Sequence, residues 1–172
     1  MRWTLWIFLG VLGMVILVVT IGWLLPKDHV ATRVARYHQP PEALWSAITD
    51  VDAMPSWREG LKSVKKLPDR NGLPVHVEVT GAGDIPLETI EMTRPRKLVA
   101  RIAGAKLPFG GAWTFEITPV ADGAMLRITE NGYVTNPVFR FMSRFVLGYA
   151  GEIEKYLRSL ARKFGERPQI EE

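Results

Sequence analysis

The segment from residue 3 to residue 25 constrains the chain most, because none of its 23 residues is charged and 18 of them are apolar. A helix of this length rises about 1.5 Å per residue and reaches roughly 35 Å, enough to cross a hydrocarbon core of about 30 Å. A cleavable signal peptide has a shorter apolar region, of about 7 to 15 residues, and a small-residue cleavage site. Here the apolar run continues to Leu25 and is followed by Pro26 and Lys27. We therefore predict a single-pass membrane anchor over residues 1–27.

The charges that flank this segment bear on its orientation. Arg2 and the amino group lie on one side, and Lys27, Arg33 and Arg36 lie on the other. Because short cytoplasmic flanks carry an excess of Lys and Arg, this count favours a cytoplasmic domain by a small margin. A signal-anchor with its amino end inside would place the domain outside, and one or two charges leave both orientations open.

The charge balance of the remaining chain excludes nucleic acid as an expected partner. Its 147 residues carry 21 basic and 18 acidic side chains, a net charge of +3 that is ordinary for one globular domain. The densest basic cluster consists of Arg58, Lys62, Lys65 and Lys66. We interpret it as a solvated helix face or as a contact with anionic headgroups beside the anchor.

The residue types that metal or nucleophilic chemistry requires are sparse. The chain has no cysteine, which excludes disulfides, thiol nucleophiles and cysteine metal ligands. His29, His38 and His76 lack the i, i+4 spacing of a helical metal pair, and no serine lies in a G-x-S-x-G elbow. We predict no metal site and no cofactor.

The first part of the domain predicts one strand followed by two short helices. Residues 29–38 alternate between apolar and polar side chains, as a half-buried strand does. Pro41 is placed to begin a helix, which ends near Asp50. A second short helix is predicted over residues 56–61.

The rest of the domain predicts a meander of strands and one long helix. After the Asn71-Gly72 turn, residues 75–130 alternate in several short runs, as in an antiparallel sheet with one solvated face. From Asn136 to Phe164, apolar residues recur at spacings of three and four, which predicts a long C-terminal helix that packs on the sheet. The fold class is therefore α+β.

Three segments, taken in their order along the chain, carry a resemblance to a known family. They are residues 40–45 (PPEALW), residues 50–57 (DVDAMPSW) and residues 111–115 (GAWTF). With the order of elements, they resemble the helix-grip architecture of the START-related SRPBCC superfamily, which includes the polyketide cyclase/dehydrase-like proteins. The resemblance covers about residues 29–165. It implies a curved antiparallel sheet wrapped around the long C-terminal helix, with a hydrophobic cavity between them for a lipid, sterol, polyketide or other apolar molecule.

The apolar segment and the resemblance together divide the chain into an anchor over residues 1–27, a ligand-binding domain over residues 28–165 and a charged tail over residues 166–172. A cavity for an apolar ligand is lined mostly by hydrophobic and aromatic side chains. An alternative interpretation is that such residues only fill a core. The candidate ligand-binding residues are Trp57, Val77, Ile90, Trp113, Phe115, Ile128, Met142, Phe145 and Tyr149.

Two carboxylates stand out among these residues. Alternation places Glu88 on the face of Ile90, and Glu130 on the face of Ile128. A buried carboxylate needs a partner or a raised pKa, and Arg101, Arg127 or Tyr133 is a candidate partner. The carboxylates and their partners could orient a ligand head group or act in general acid–base catalysis. Alternatively, a bulge shifts the register and leaves both carboxylates in water.

These observations lead to a function hypothesis and an alternative. The hypothesis is a membrane-tethered domain that binds a hydrophobic small molecule or lipid without obligatory chemistry. The alternative is an enzyme of the cyclase, dehydratase or hydrolase kind that uses Glu88 or Glu130 as general acid or base, with Tyr133 or Arg101 stabilising negative charge. An interaction module that uses the sheet as a platform remains a third interpretation, and the sequence makes no prediction of oligomeric state.

Overall fold

A computed structural model describes residues 2–104 and 107–172 of the chain. Four α-helices and eight strands follow one another, with a 3₁₀ turn after the second helix and a π-helical turn after the third. The elements are α1 (Arg2–Leu24), β1 (Asp28–Tyr37), α2 (Pro41–Thr49), the 3₁₀ turn (Met54–Ser56), β2 (Leu61–Arg70), β3 (Leu73–Thr80), β4 (Asp84–Thr93), β5 (Lys97–Ile102), β6 (Phe109–Val120), β7 (Gly123–Val134), α3 (Pro137–Met142), the π turn (Ser143–Leu147), α4 (Gly151–Lys163) and β8 (Ile170–Glu171).

The sheet is a curved antiparallel meander in the order β2-β3-β4-β5-β6-β7-β1-β8. Its inner face packs against α4, whose Ile153, Leu157 and Leu160 are fully buried against residues such as Leu126 and Ile128 of β7. A hydrophobic stripe on α4 and the apolar face of the sheet thus bury each other, as a two-layer domain requires. The predicted α+β helix-grip fold is confirmed.

The region between α2 and β3 differs from its prediction. Helix α2 begins at Pro41 and buries Leu44, Trp45 and Ile48, as expected. The second helix is only a 3₁₀ turn, and strand β2 follows at once. Strand β2 lies at the edge of the sheet and most of its side chains are exposed, so no alternation of apolar residues marked it. Its lysines therefore lie on an edge strand, where charges discourage pairing with another chain.

The C-terminal helix is interrupted. The predicted continuous helix from Asn136 to Phe164 is divided into α3, the π turn and α4. Gly148 separates them with a φ of +73°, a conformation that side chains with a Cβ rarely adopt. The long gripping helix is therefore α4 alone, and α3 is free to take another direction.

Helix α1 stands outside the domain. A span of 22 residues, Trp3–Leu24, has a mean hydropathy of 2.6 and is almost entirely exposed. Its length and composition suit a membrane span and equally a signal sequence. Its carboxyl end contacts α3 of the domain.

Candidate functional site

A cavity of about 1020 Å³ lies between the inner face of the sheet and the helices α3 and α4. Most of its lining is apolar. Cavities of this size, between roughly 300 and 1,000 Å³ and mostly apolar, are typical of small-molecule sites. The cavity therefore has the size and chemistry to hold a ligand of lipid or steroid dimensions.

Aromatic rings form one wall of the cavity. Trp113 and Phe115 occupy alternate positions on β6 and therefore point to the same face of the sheet. Tyr156 of α4 meets both, with ring centroids 6.1 Å from Trp113 and 5.5 Å from Phe115. These tilted and edge-to-face contacts make a rigid wall where the sheet meets the helix.

A buried polar cluster interrupts this apolar lining. We call it the Arg58 cluster; it consists of Arg58, His76, Glu78 and Tyr156, and all four line the cavity. Arg58 forms an ion pair with Glu78, and its guanidinium carbon lies 5.1 Å from the centroid of the Tyr156 ring. His76 Nε2 lies 3.9 Å from Glu78 Oε1. Burial acts to raise the pKa of Glu78, but hydrogen bonds and charges from His76 and Arg58 outweigh it and hold that pKa below its usual value.

Two polar atoms of the Arg58 cluster are buried without a hydrogen-bond partner in the described part of the chain. They are His76 Nδ1 and the Tyr156 hydroxyl. Burial is the main cause that raises the pKa of Tyr156, so the hydroxyl keeps its proton and is a donor at neutral pH. Because buried polar groups are nearly always hydrogen-bonded, these atoms can bind a polar group of a ligand.

A second polar pair lies elsewhere in the lining. His29 at the start of β1 approaches Glu130 of β7, with Nε2 3.4 Å from Oε1, and Tyr149 stacks on the His29 ring at a centroid distance of 4.3 Å. Burial raises the pKa of Glu130, although His29 and a hydrogen bond from Trp113 oppose this effect. Glu130 is therefore the cavity carboxylate that most readily holds a proton.

Six of the predicted site residues line the cavity. Three of them, on β6 and β7, lie where the alternation of regular strands predicts, and the others lie near the end of β7, in α3 and in the turn before α4. The six are Trp113, Phe115, Glu130, Tyr133, Met142 and Tyr149.

Glu88 and Arg101 do not line the cavity. They lie opposite each other on the outer face of β4 and β5 and form an ion pair, with Arg101 Nε 2.9 Å from Glu88 Oε1. Arg70 also pairs with Glu88. The hydrogen bond from Arg101 is the main cause that lowers the pKa of Glu88. Arg101 is therefore a partner of the buried Glu88 carboxylate, as one alternative from the sequence had it, but the pair lies on the outer face of the sheet and not in the cavity.

The alternation of β4 explains the position of Glu88, because Ile85, Leu87 and Thr89 line the cavity and Glu88 lies between two of them. Ile90 lies on the outer face with Glu88 for the same reason. The pairing with β5 shifts between Thr89 and Glu91, so Met92 borders the cavity although it is only two residues from Ile90. A one-residue shift moves every following side chain to the other face of a strand. Ile90 is therefore removed from the candidate ligand-binding residues.

Four other candidates lie outside the cavity lining. Val77 is on the outer face of β3, because its neighbours His76 and Glu78 face inward. Ile128 is fully buried in the core, and Trp57 packs against that core with its ring 5.4 Å from Tyr156. Phe145 lies in the π turn with 60% of its surface exposed.

Sequence reasoning missed Arg58, His76 and Glu78 as site residues. Alternation on β3 correctly separated His76 and Glu78 from the valines, but the polar face was assigned to solvent. The only available signal was the coincidence of a histidine and a glutamate on one face of a short strand. In addition, the described residues contain no group of three or more His, Asp or Glu that could hold a metal ion.

The comparisons with known proteins agree with this geometry. A family model described as "Polyketide cyclase / dehydrase and lipid transport" matches residues 29–165, the part of the chain that forms the sheet, the cavity and α4. The chain belongs to this family. No curated protein matches the chain.

Several solved structures have a fold similar to that of this polyketide cyclase/dehydrase family member. A START superfamily protein from Mycobacterium smegmatis is 15% identical, with a TM-score of 0.63 over 79% of this chain and 99% of that one. Norcoclaurine synthase from Thalictrum flavum is 8% identical, with a TM-score of 0.62 over 81% of this chain and 88% of that one. A protein from Thermobifida fusca is 18% identical, with a TM-score of 0.60 over 81% and 94%. At these identities the likeness concerns the fold alone.

Proposed function

We propose that the chain binds, next to a membrane, a mostly apolar molecule that carries one uncharged hydrogen-bonding group. One observation supports this proposal above the others: a large aromatic cavity contains the Arg58 cluster, with two buried polar atoms that lack partners within the described residues. Arg58 and Glu78 neutralise each other's charge. A hydroxyl or carbonyl therefore suits the cluster better than a second charge, whose burial would be costly.

The proposed organisation assigns one role to each part of the chain. Residues 1–27 are the membrane anchor, residues 28–165 are the ligand-binding domain and residues 166–172 are a charged tail. The domain is placed on the cytoplasmic side because Lys27, Arg33 and Arg36 follow the anchor. Tethering keeps the cavity beside a supply of apolar molecules.

The first test measures uptake with the full chain in detergent micelles. Native mass spectrometry and organic extraction identify any molecule that copurifies, and a pyrene-labelled fatty alcohol and the pyrene-labelled alkane of equal length serve as probes. Ala100→Phe fills the cavity, whereas Ala112→Phe places the same ring on the outer face of β6. We expect Ala100→Phe to abolish retention of the alcohol and Ala112→Phe to leave it unchanged. Equal retention by the two variants, or none by the wild type, contradicts the proposal.

The second test addresses the polar group. Tyr156→Phe removes only the hydroxyl, and one lost hydrogen bond of about 1 kcal/mol corresponds to about a fivefold weaker affinity. We expect this loss for the alcohol and not for the alkane. Tyr133→Phe is the control, because Tyr133 lines the cavity but is not part of the Arg58 cluster. If Tyr133→Phe alone weakens binding of the alcohol, the polar group is bound elsewhere.

The raised pKa of Glu130 favours a second candidate function. A carboxyl whose pKa is raised by burial, beside His29 and inside an apolar cavity, is equipped for general acid–base catalysis. The reaction would be of the cyclase, dehydratase or hydrolase kind. Incubation of the extracted molecule with wild type and with Glu130→Gln distinguishes the two functions: an enzyme converts it only with Glu130 present, whereas a binding protein returns it unchanged in both cases.

A further inference from the structure

A continuous apolar surface is exposed on α3 and the π turn. We call it the mouth surface; it comprises Val138, Phe139, Phe145, Val146 and Leu147, each more than 40% exposed. The other exposed large hydrophobic residues of the described chain lie in α1 or singly on the strands. Contiguous exposed apolar surface of this kind marks an interaction site, whereas scattered single residues need no explanation.

The mouth surface is joined to the carboxyl end of α1. A Cβ on Gly22 would lie 2.0 Å from the carbonyl oxygen of Pro137, so the two backbones touch. The buried Arg140 guanidinium donates hydrogen bonds to the carbonyl oxygens of Leu25, at 2.8 Å, and Trp23, at 3.4 Å. It also donates to the carbonyl of Thr135, at 3.2 Å. Arg140 thus caps the last turn of α1 and holds α3 at the level where that helix ends.

The same segment forms one wall of the cavity. Phe139, Met142, Ser143 and Leu147 line it. Phe139 and Leu147 therefore contribute both to the cavity and to the mouth surface. Gly148, with its positive φ, follows immediately and separates this segment from α4.

We propose that the mouth surface lies in the interfacial region of the same bilayer that α1 spans, so that the cavity opens onto the membrane and takes its ligand directly from it. This inference rests on the anchor of the proposed function. The bilayer is the occupant because the surface continues from the end of a helix long enough to cross it. Exposed Lys27 and Arg144 lie beside the surface, where they can contact anionic headgroups.

The absence of cysteine makes this placement measurable. The full chain is reconstituted in phosphatidylcholine vesicles containing phosphatidylglycerol, with one nitroxide label on Phe145→Cys, Leu12→Cys or Leu67→Cys. Leu12 lies within α1, and Leu67 is a comparably exposed apolar residue on β2. Power-saturation electron paramagnetic resonance compares collisions with oxygen, which enters the bilayer, and with a nickel chelate, which stays in water.

We expect the labels at positions 145 and 12 to collide preferentially with oxygen, and the label at 67 with the nickel chelate. A label at 145 that behaves like the one at 67, while the label at 12 lies in hydrocarbon, overturns the inference. Strong dipolar coupling between labels at 145 in two chains also overturns it, because a second copy would then cover the mouth surface. A label at 12 in water overturns the anchor itself.

A transfer experiment tests the consequence. Phe145→Asp with Val146→Asp is compared with Leu67→Asp for the rate at which the full chain extracts the pyrene alcohol from these vesicles. We expect at least a tenfold slower rate for the double variant only, with unchanged affinity for the alcohol in micelles. Extraction at the wild-type rate overturns the inference but leaves the proposed function intact, whereas failure of the wild type to take up the alcohol in micelles overturns the proposed function.

Discussion

Glu78 and Glu130 are two cavity carboxylates with opposite pKa shifts. Arg58 and His76 outweigh the effect of burial at Glu78 and lower its pKa, whereas burial prevails at Glu130 and raises it. The first carboxylate is held as an ion and the second is biased toward its protonated form. The two glutamates therefore affect the free energy of unfolding with opposite dependence on pH.

Replacement of Glu130 tests the raised pKa. Because the folded state binds this proton more tightly than the unfolded state, stability falls as pH rises from about 4.5 through the folded pKa. Glu130→Gln removes the buried charge, so we expect a larger free energy of unfolding than wild type at pH 7. The difference should shrink at pH 4, where Glu130 is protonated in both states. Urea unfolding of the full chain in micelles at both pH values measures it.

Replacement of Glu78 should have the opposite sign. Its pKa is lowered in the folded state, so its stabilising effect is present above the unfolded value of about 4.5 and is lost as pH falls through the folded pKa. Glu78→Gln leaves the Arg58 charge unpaired, and we expect a loss of about 1–3 kcal/mol at pH 7. The same urea titration should show that this loss diminishes below pH 4. A pH-independent difference would contradict the assigned pKa.

At the scale of elements, the junction of α1 and α3 depends on one side chain. Arg140 donates to the carbonyls of Trp23 and Leu25 at the end of α1 and to the carbonyl of Thr135 just before α3. Helix ends that are buried without such partners are unfavourable. The contact between α1 and α3 therefore depends on directed hydrogen bonds in addition to packing.

Arg140→Met keeps the length of the side chain and removes the donors. We expect a loss of about 1–3 kcal/mol in the free energy of unfolding, because the hydrogen bonds from a buried charged group to the backbone are lost. Arg144→Met, on an exposed residue of the π turn, should change it by less than about 0.5 kcal/mol. Thermal or urea unfolding of the two variants in micelles provides the comparison. Equal stability of the two would show that the cap is not needed.

At the scale of the whole molecule, the buried layers and the mouth segment should differ in local stability. Ile153, Leu157 and Leu160 of α4 are fully buried on β7, whereas the π turn buries none of its residues. Regions with few buried contacts open locally at little cost, and core elements open only with global unfolding. The cavity is therefore expected to open on the side of α3 and the π turn.

Hydrogen exchange of the full chain in micelles measures this difference. We expect amides of residues 143–148 to exchange at least about a thousandfold faster than those of residues 153–161. This factor corresponds to a difference of about 4 kcal/mol in the free energy of opening, at about 1.4 kcal/mol for each tenfold. Bound pyrene alcohol should slow the exchange of the mouth segment. Uniform protection across both segments would contradict the expected difference.

Sequence alone determined the α+β helix-grip fold and the inward positions of Trp113, Phe115 and Glu130. Regular strands transmit their alternation directly to the two faces of a sheet, and β6 and β7 are paired without interruption. The apolar helix α1 was equally evident, since its composition needs no partner to be recognised. These features depend on local periodicity, which can be read directly from the amino-acid sequence.

Tertiary structure decided which face of each strand meets the cavity and where the helical stripe stops. The cavity meets the Leu87 face of β4, so Glu88 and Ile90 lie outward. The enclosure of β3 buried His76 and Glu78, and Gly148 separated Phe145 from the stripe of α4. Arg58 and Arg140 acquired their roles from residues at least 20 and 115 positions away, Glu78 and Leu25 respectively. Periodicity describes only neighbours along the chain, so contacts between distant segments are determined by packing.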